Sequence, residues 1–163
     1  LGLVATVSRE TKLKTAISTF LHDYYVDYVI IDCPPSLGLL TLNALVAAQE
    51  IMIPIQCEYY ALEGVTQLPR TIELVKGRLN DRLKLSTILL TMYDARTNLS
   101  AQVADQVRKH FEDETLKTVI PRSVRVAEAP SYGQTVLSYH LASAGAQAYV
   151  EASKEIAERG ASK

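Results

Sequence analysis

The sequence predicts an α/β fold, a mostly parallel sheet with helices on both faces, and three observations carry that prediction. Short β-rich runs alternate with segments whose apolar residues recur at helical spacing, and parallel neighbours need helical crossovers. Tyr28-Val29-Ile30-Ile31 is a continuous apolar run ending in Asp32, the pattern of a central strand buried on both faces. The 163 residues, 48% of them hydrophobic, suffice for one core of ordinary domain size, so a single domain over 1–163 is expected.

The elements follow in order. Leu3 to Val7 is the first expected strand. Leu13, Ala16, Ile17, Phe20 and Leu21 recur at helical spacing, which predicts a helix with one apolar stripe. Tyr28 to Ile31 is the second strand, and Leu39 to Val46 a short helix. Ile51 to Ile55 reads as a strand with Pro54 at its end, where a missing N–H does least harm. Leu62, Val65, Leu68, Ile72, Val75 and Leu79 line one side of a long helix, bent at Pro69 because an interior proline breaks the ladder. Thr87 to Met92 is a strand, and Ala101 to Phe111 a helix with Val103, Ala104, Val107 and Phe111 inward. Val119-Ile120 is a last short strand and Ala146 to Ala157 a closing helix. No repeat, low-complexity tract or linker interrupts the series.

Composition excludes several function classes. Lys and Arg number 17 against 18 Asp and Glu, a formal charge of −1, so nothing draws the whole chain toward nucleic acid or membranes and any DNA contact must be a local patch. No run approaches the roughly 18 apolar residues of a membrane span, and no basic start with an apolar stretch marks a signal peptide; a cytoplasmic protein is expected. Cys33 and Cys57 lack Cys-x-x-Cys spacing and read as reduced thiols. No Gly-x-Ser-x-Gly elbow occurs, and His22, His110 and His140 are scattered without ligand spacing, which argues against hydrolase and metal-site readings. Leu1-Gly2-Leu3-Val4 is strand-like from its first residue, so the chain reads as part of something longer.

In open α/β sheets ligands bind beyond the carboxyl ends of the strands, which directs attention to Asp32-Cys33-Pro34-Pro35-Ser36. A carboxylate leaving a buried strand into a rigid turn can hold Mg²⁺, directly or through water, in a phosphate site. It can equally cap the helix that follows. The longer string Asp-Cys-Pro-Pro-Ser-Leu-Gly-Leu-Leu-Thr-Leu-Asn-Ala-Leu at 32–45 resembles the Walker-B region of ParA-type partition ATPases, which are P-loop NTPase-like proteins. Arg9 to Lys14, Glu58-Tyr59-Tyr60-Ala61-Leu62-Glu63-Gly64, Leu90 to Ser100 and Ile120 to Gly133 resemble further motifs of that family in the same order.

The resemblance implies site residues one by one. Asp32 would be the Walker-B carboxylate positioning Mg²⁺ through a water. Met92, Pro121 and Arg122 would line the adenine; for Met92 ordinary core packing stands as an equal alternative, and for Pro121 a strand terminator. Arg96, Arg122 and Arg125 in loops at one sheet edge, with Lys117 close in sequence, would neutralise DNA phosphates without reading bases. ATP and Mg²⁺, a homodimer, nonspecific DNA, a ParB-like partner and a nucleoid-associated location are implied for the intact protein, and no membrane.

Neither Gly-x-x-x-x-Gly-Lys-[Ser/Thr] nor the family's Lys-Gly-Gly-Val-Gly-Lys-Thr-Thr form occurs in residues 1–163. Without it no clustered N–H groups or lysine grip the phosphates, and the Asp with which the family activates water would also lie upstream of Leu1. No catalytic residue, tight ATP binding or hydrolysis is therefore expected of this stretch alone. A fold truncated at its amino-terminal end should also expose apolar surface. Two other readings stand beside partition. One is a membrane-associated division-site ATPase, although such relatives usually end in a basic amphipathic helix and Tyr149 to Lys163 ends in Glu-Arg-Gly-Ala-Ser-Lys. The other is a non-catalytic interaction module.

Overall fold

A computed structural model describes residues 9–34, 36, 38–59 and 72–161. A 3-10 turn, Arg9–Thr11, leads into helix α1 (Lys12–Asp23); helix α2 (Leu39–Ala47) precedes strand β1 (Glu50–Gln56). The chain is helical again over 72–78, α3. Then come β2 (Lys84–Tyr93), α4 (Asn98–His110), β3 (Thr115–Pro121), α5 (Val124–Glu128), a second 3-10 turn (Ala129–Tyr132), α6 (Val136–Tyr139) and α7 (Ala144–Ala161). The strand expected at Leu3–Val7 and the bend at Pro69 lie outside the described residues.

The strands form one sheet in the order β1-β2-β3. β2 and β3 are parallel. β1 runs the same way, because the Lys84 N–H donates to Gln49 O at 3.1 Å while the Cys57 N–H donates to Thr91 O at 2.8 Å, so the partners rise together along both strands. This is the mostly parallel α/β fold that the alternation of elements predicts. Its centre is β2, where Thr87, Ile88, Leu89 and Leu90 are consecutively buried, as a strand with neighbours on both sides requires.

Contacts divide the chain into two compact units, Leu1–Ile51 with Pro69–Leu85, and Met52–Leu68 with Ser86–Lys163. In the first, buried Asn43 ties α2 to the start of α1: its Nδ2 donates to Arg9 O and Leu39 O, each at 2.9 Å, and its Oδ1 accepts the Leu13 N–H at 3.3 Å. That N–H belongs to the first turn of α1 and has no partner within the helix. At the other end of α2, Asn80 donates to Leu45 O at 2.9 Å and Ala48 O at 2.6 Å.

α1 forms over the predicted apolar stripe, with none of its residues buried; Phe20 stacks on Tyr24 at 4.8 Å between centroids. One expectation fails in this unit: the strand expected at Tyr28–Ile31 is absent, since residues 28–34 are neither helix nor strand and Ile30 is 84% exposed. A strand exists only where a neighbour completes its ladder, and no strand of the described sheet pairs with this run. Tyr28, Val29 and Ile30 accordingly lie exposed.

The second unit is better closed. Leu89, Leu116 and Ile120 pack on Ala152 of α7, and Ala129, Val136 and Ala146 form an adjoining cluster. Pro54 falls inside β1 and not at its end. The Cys57 N–H and the Ile55 carbonyl face Thr91, so position 54 points its missing N–H to the outer edge of the described sheet, where no described ladder bond is lost. α4 buries Val103, Ala104 and Val107 as predicted, with Phe111 half-buried at its C-cap. It starts earlier than expected, because the Thr97 side chain caps it by accepting the Ser100 N–H at 3.3 Å. α7 starts after Ser143, whose Oγ accepts the Ala146 N–H. Gly145 is required there: a Cβ would sit 2.5 Å from Val126 Cγ2.

Candidate functional site

In the first unit, Asp32 lies in an exposed turn anchored from α2, whose Thr41 Oγ1 reaches Ser36 O at 2.7 Å. The N-cap of α2 is Gly38, with no side-chain cap bond, so Asp32 does not cap that helix. Its carboxylate faces solvent. Among the described residues no group of three or more His, Cys, Asp or Glu could hold a metal ion. A lone exposed carboxylate fits a water-mediated contact to Mg²⁺, whose other ligands come from nucleotide phosphates, and does not fit a protein-built cage.

The second unit holds the remaining candidates, and it brings most of them to the carboxyl ends of β2 and β3. Leu90 is in register with Val119 and Tyr93 with Pro121, so β2 advances three residues where β3 advances two. The extra residue makes a bulge, a device that re-aims strand ends near sites. Met92 occupies it with φ 54°, the one left-handed non-glycine residue described. For a residue with a Cβ that conformation costs about 1–2 kcal/mol, and Met92 is half-buried. Beyond the bulge the Arg122 N–H donates to Tyr93 O at 2.9 Å, which sets Pro121 and Arg122 beside the end of β2.

Each predicted arginine there is held by a carboxylate. Asp94 accepts from Arg96 Nε at 2.9 Å, Nη2 at 2.7 Å and the backbone N–H at 3.0 Å. These bonds hold its carboxyl far below the usual carboxylate range, the side-chain bond contributing most. Arg122 pairs with Glu58, and Arg125 Nη1 donates to Glu128 Oε2 at 3.1 Å. The same Glu128 oxygen accepts from the Tyr139 hydroxyl at 3.4 Å, and Tyr139 stacks on exposed Tyr132 at 5.0 Å. The loop is stiffened further by Ser100, whose Oγ donates to Cys57 O at 3.2 Å, and by Thr97, whose N–H and hydroxyl both reach Asp94 O at 3.0 Å.

Lys117 is placed differently. It sits within β3, four residues before Pro121, or about 13 Å along an extended strand, beside Glu151, Lys154 and Glu155 of α7. Its N–H donates to Glu155 Oε1 at 2.9 Å. Sequence reasoning missed the carboxylates. Asp94 had a local signal, since an Asp two residues before Arg96 forms a turn of this kind, and Glu128 sits at i+3 from Arg125 on one helix face. Glu58 and Arg122 are separated by 64 positions, for which no pattern exists.

Comparison with known proteins places the chain. A family model described as an AAA domain matches residues 1–85. The chain belongs to the AAA domain family. Within it, the chain is homologous to ParA/Soj chromosome-partitioning ATPases. It is 54% identical over 158 residues to the sporulation initiation inhibitor protein Soj of Bacillus subtilis, covering 97% of this chain and 62% of that protein. It is 51% identical over 154 residues to the chromosome partitioning protein ParA of Caulobacter vibrioides, covering 94% and 58%. The chain thus spans less than two thirds of these relatives.

Among solved structures, cobyrinic acid a,c-diamide synthase from Mycobacterium smegmatis superposes with a TM-score of 0.72 at 41% identity, over 92% of this chain and 54% of that one. A second structure of that synthase, with bound ADP and magnesium, gives 0.66 at 45% identity over 75% and 49%. The cell division ATPase MinD of Pyrococcus furiosus gives 0.71 at 23% identity, over 91% and 58%, a likeness of fold alone. No described helix is long and apolar enough to cross a membrane.

Proposed function

We propose that the full-length protein is a partition ATPase that binds ATP and Mg²⁺, forms a homodimer, and holds DNA without sequence preference while a ParB-like partner stimulates hydrolysis. The observation carrying this reading is identity to Soj running over 97% of the chain. In it, Asp32 holds Mg²⁺ through a water. The ion supplies neutralisation of charge on the β- and γ-phosphates during transfer. Met92 and Pro121 offer apolar faces to adenine with Arg122 beside them. Arg96, Arg122 and Arg125, and Lys117 from within β3, meet DNA phosphates.

The protein works in the cytoplasm on the nucleoid, and residues 1–163 form one domain of it. By themselves these residues hold ATP weakly and do not hydrolyse it, because they contain no phosphate-gripping loop. The test is retention of unrelated duplex DNA by the full-length protein with ATP and magnesium. Retention that needs ATP and falls steeply with salt is expected. Absence of ATP-dependent retention would sink the proposal.

A further inference from the structure

Three arginines of the second unit are candidates for phosphate contact, and three carboxylates of the same unit already occupy them. Arg96 is 86% exposed at its side chain, yet its Nε–Nη2 fork is spent on Asp94, which is only 17% exposed. Arg122 gives one Nη2 bond to Glu58 and Arg125 one Nη1 bond to Glu128. The formal charge of the six side chains is zero. A guanidinium fork matches carboxylate and phosphate with the same bidentate geometry, so Asp94 and a phosphate cannot use the Arg96 fork at once, and at Arg122 and Arg125 the paired carboxylate cancels the charge a phosphate would meet.

From this pairing we infer that Asp94, Glu58 and Glu128 are built-in competitors of DNA phosphate. They mask the arginines of the two loops and of α5, and DNA is held only when phosphates displace carboxylates from these side chains. The inference rests on the DNA-binding reading above and adds to it a mechanism of attenuation. Exposed ion pairs of this kind are individually weak, so displacement is feasible, and a surface with no net charge gives little long-range attraction. The arrangement keeps the protein from binding polyanions indiscriminately and makes retention depend on many phosphates presented together. Asp94 is the strongest of the three, since it engages Arg96 through three bonds and is itself shielded. Glu128 has a second tie, to Tyr139, so freeing Arg125 leaves Tyr132 and Tyr139 stacked beside an unpaired cation.

The experiment measures retention of unrelated duplex DNA, with ATP and magnesium, by full-length protein carrying Asp94→Asn, Glu58→Gln or Glu128→Gln. Asp81→Asn, in the exposed turn before β2, is the charge-matched control. Asparagine keeps an oxygen to accept the Arg96 N–H, so the turn survives. Each of the three variants should bind about two- to fivefold tighter than the control. The slope of affinity against salt should steepen by about 0.9 per arginine freed. Arg96→Ala combined with Asp94→Asn should bind like Arg96→Ala alone. Should Asp94→Asn fail to fold, Glu128→Gln on a separate helix carries the test. Wild-type retention with no gain in the variants over the control overturns the masking and leaves the partition reading standing. No retention by any of the proteins removes both.

Discussion

Tyr28–Ile31 and Thr87–Leu90 are both strand-like apolar runs, and they meet opposite fates. The second is the middle of β2, its four residues buried with β1 and β3 on either side. The first carries three residues that are among the exposed large hydrophobics, Tyr28, Val29 and Ile30. Composition does not separate them. Ladder partners do, because a strand's hydrogen bonds are completed by its neighbours and its apolar faces are buried only once those neighbours bring covering helices. Apolar patterning thus states what a segment can bury, and topology decides whether it does.

The sharpest way to break this comparison is truncation on both sides. Leu90 is fully buried and Ile30 is not. Leu90→Ala should cost about 2–5 kcal/mol, the usual range for a buried leucine. Ile30→Ala should change stability by no more than about 0.5 kcal/mol. Urea unfolding measures both, and equal losses at the two positions would show that the 28–31 run is buried in solution.

A smaller effect probes the closed unit from the opposite direction, by adding an atom. At Gly145 a Cβ would meet Val126 Cγ2 at 2.5 Å, with Ser123 Oγ at 3.2 Å. Overpacking of that kind costs about 1–3 kcal/mol. Gly145→Ala should therefore lower the unfolding midpoint, and Val126→Ala in the same chain should recover part of the loss. If the double variant is as unstable as the single, the contact is not the cause.

Smaller still is the effect of pH on the edge of β3. Burial raises the Glu155 carboxyl, but the N–H groups of Lys117 and Thr118, together with Arg159, outweigh burial and hold it below its ordinary 4.5. Because the folded value lies below the unfolded one, this stabilisation is present above pH 4.5 and is lost as pH falls through the folded value. Arg159 donates to the Asp113, Glu114 and Thr115 carbonyls where β3 begins, so the pair ties the start of that strand to α7. Glu155→Gln should cost about 1–2 kcal/mol near neutral pH and less as pH falls below 4.5. A difference from wild type that stays constant across acid pH would remove the carboxylate from the account.

How much of this is legible in the sequence depends on range along the chain. The α/β alternation and the inward face of α4 were legible because periodicity is local. So was the Asp32 turn as a motif. The Tyr28–Ile31 strand was misjudged because its partners are not written in its own residues. Met92 gave no sign of a left-handed backbone, which sequence reasoning looks for at glycine or asparagine; the bulge that imposes it comes from the register of β2 on β3. The Glu58–Arg122 pair joins positions with no periodic relation, and only the fold brings them together.

The N-cap of α4 gives the finest test, because it links stability to the Asp94–Arg96 turn. Thr97 Oγ1 accepts the Ser100 N–H at 3.3 Å and donates to Asp94 O at 3.0 Å, while Ser100 Oγ accepts the Asp94 N–H at 3.2 Å. Thr97→Ala removes the cap and should cost about 1 kcal/mol, near the lower end of the effects above. Thr97→Ser keeps the oxygen and should restore most of it. If the turn owes its shape to this cap, the alanine variant should also speed exchange of the Arg96 amide, whose N–H is held by Asp94 Oδ1. An alanine variant that loses stability while the Arg96 amide stays protected would separate the helix cap from the turn and leave Asp94 as the sole organiser of the loop.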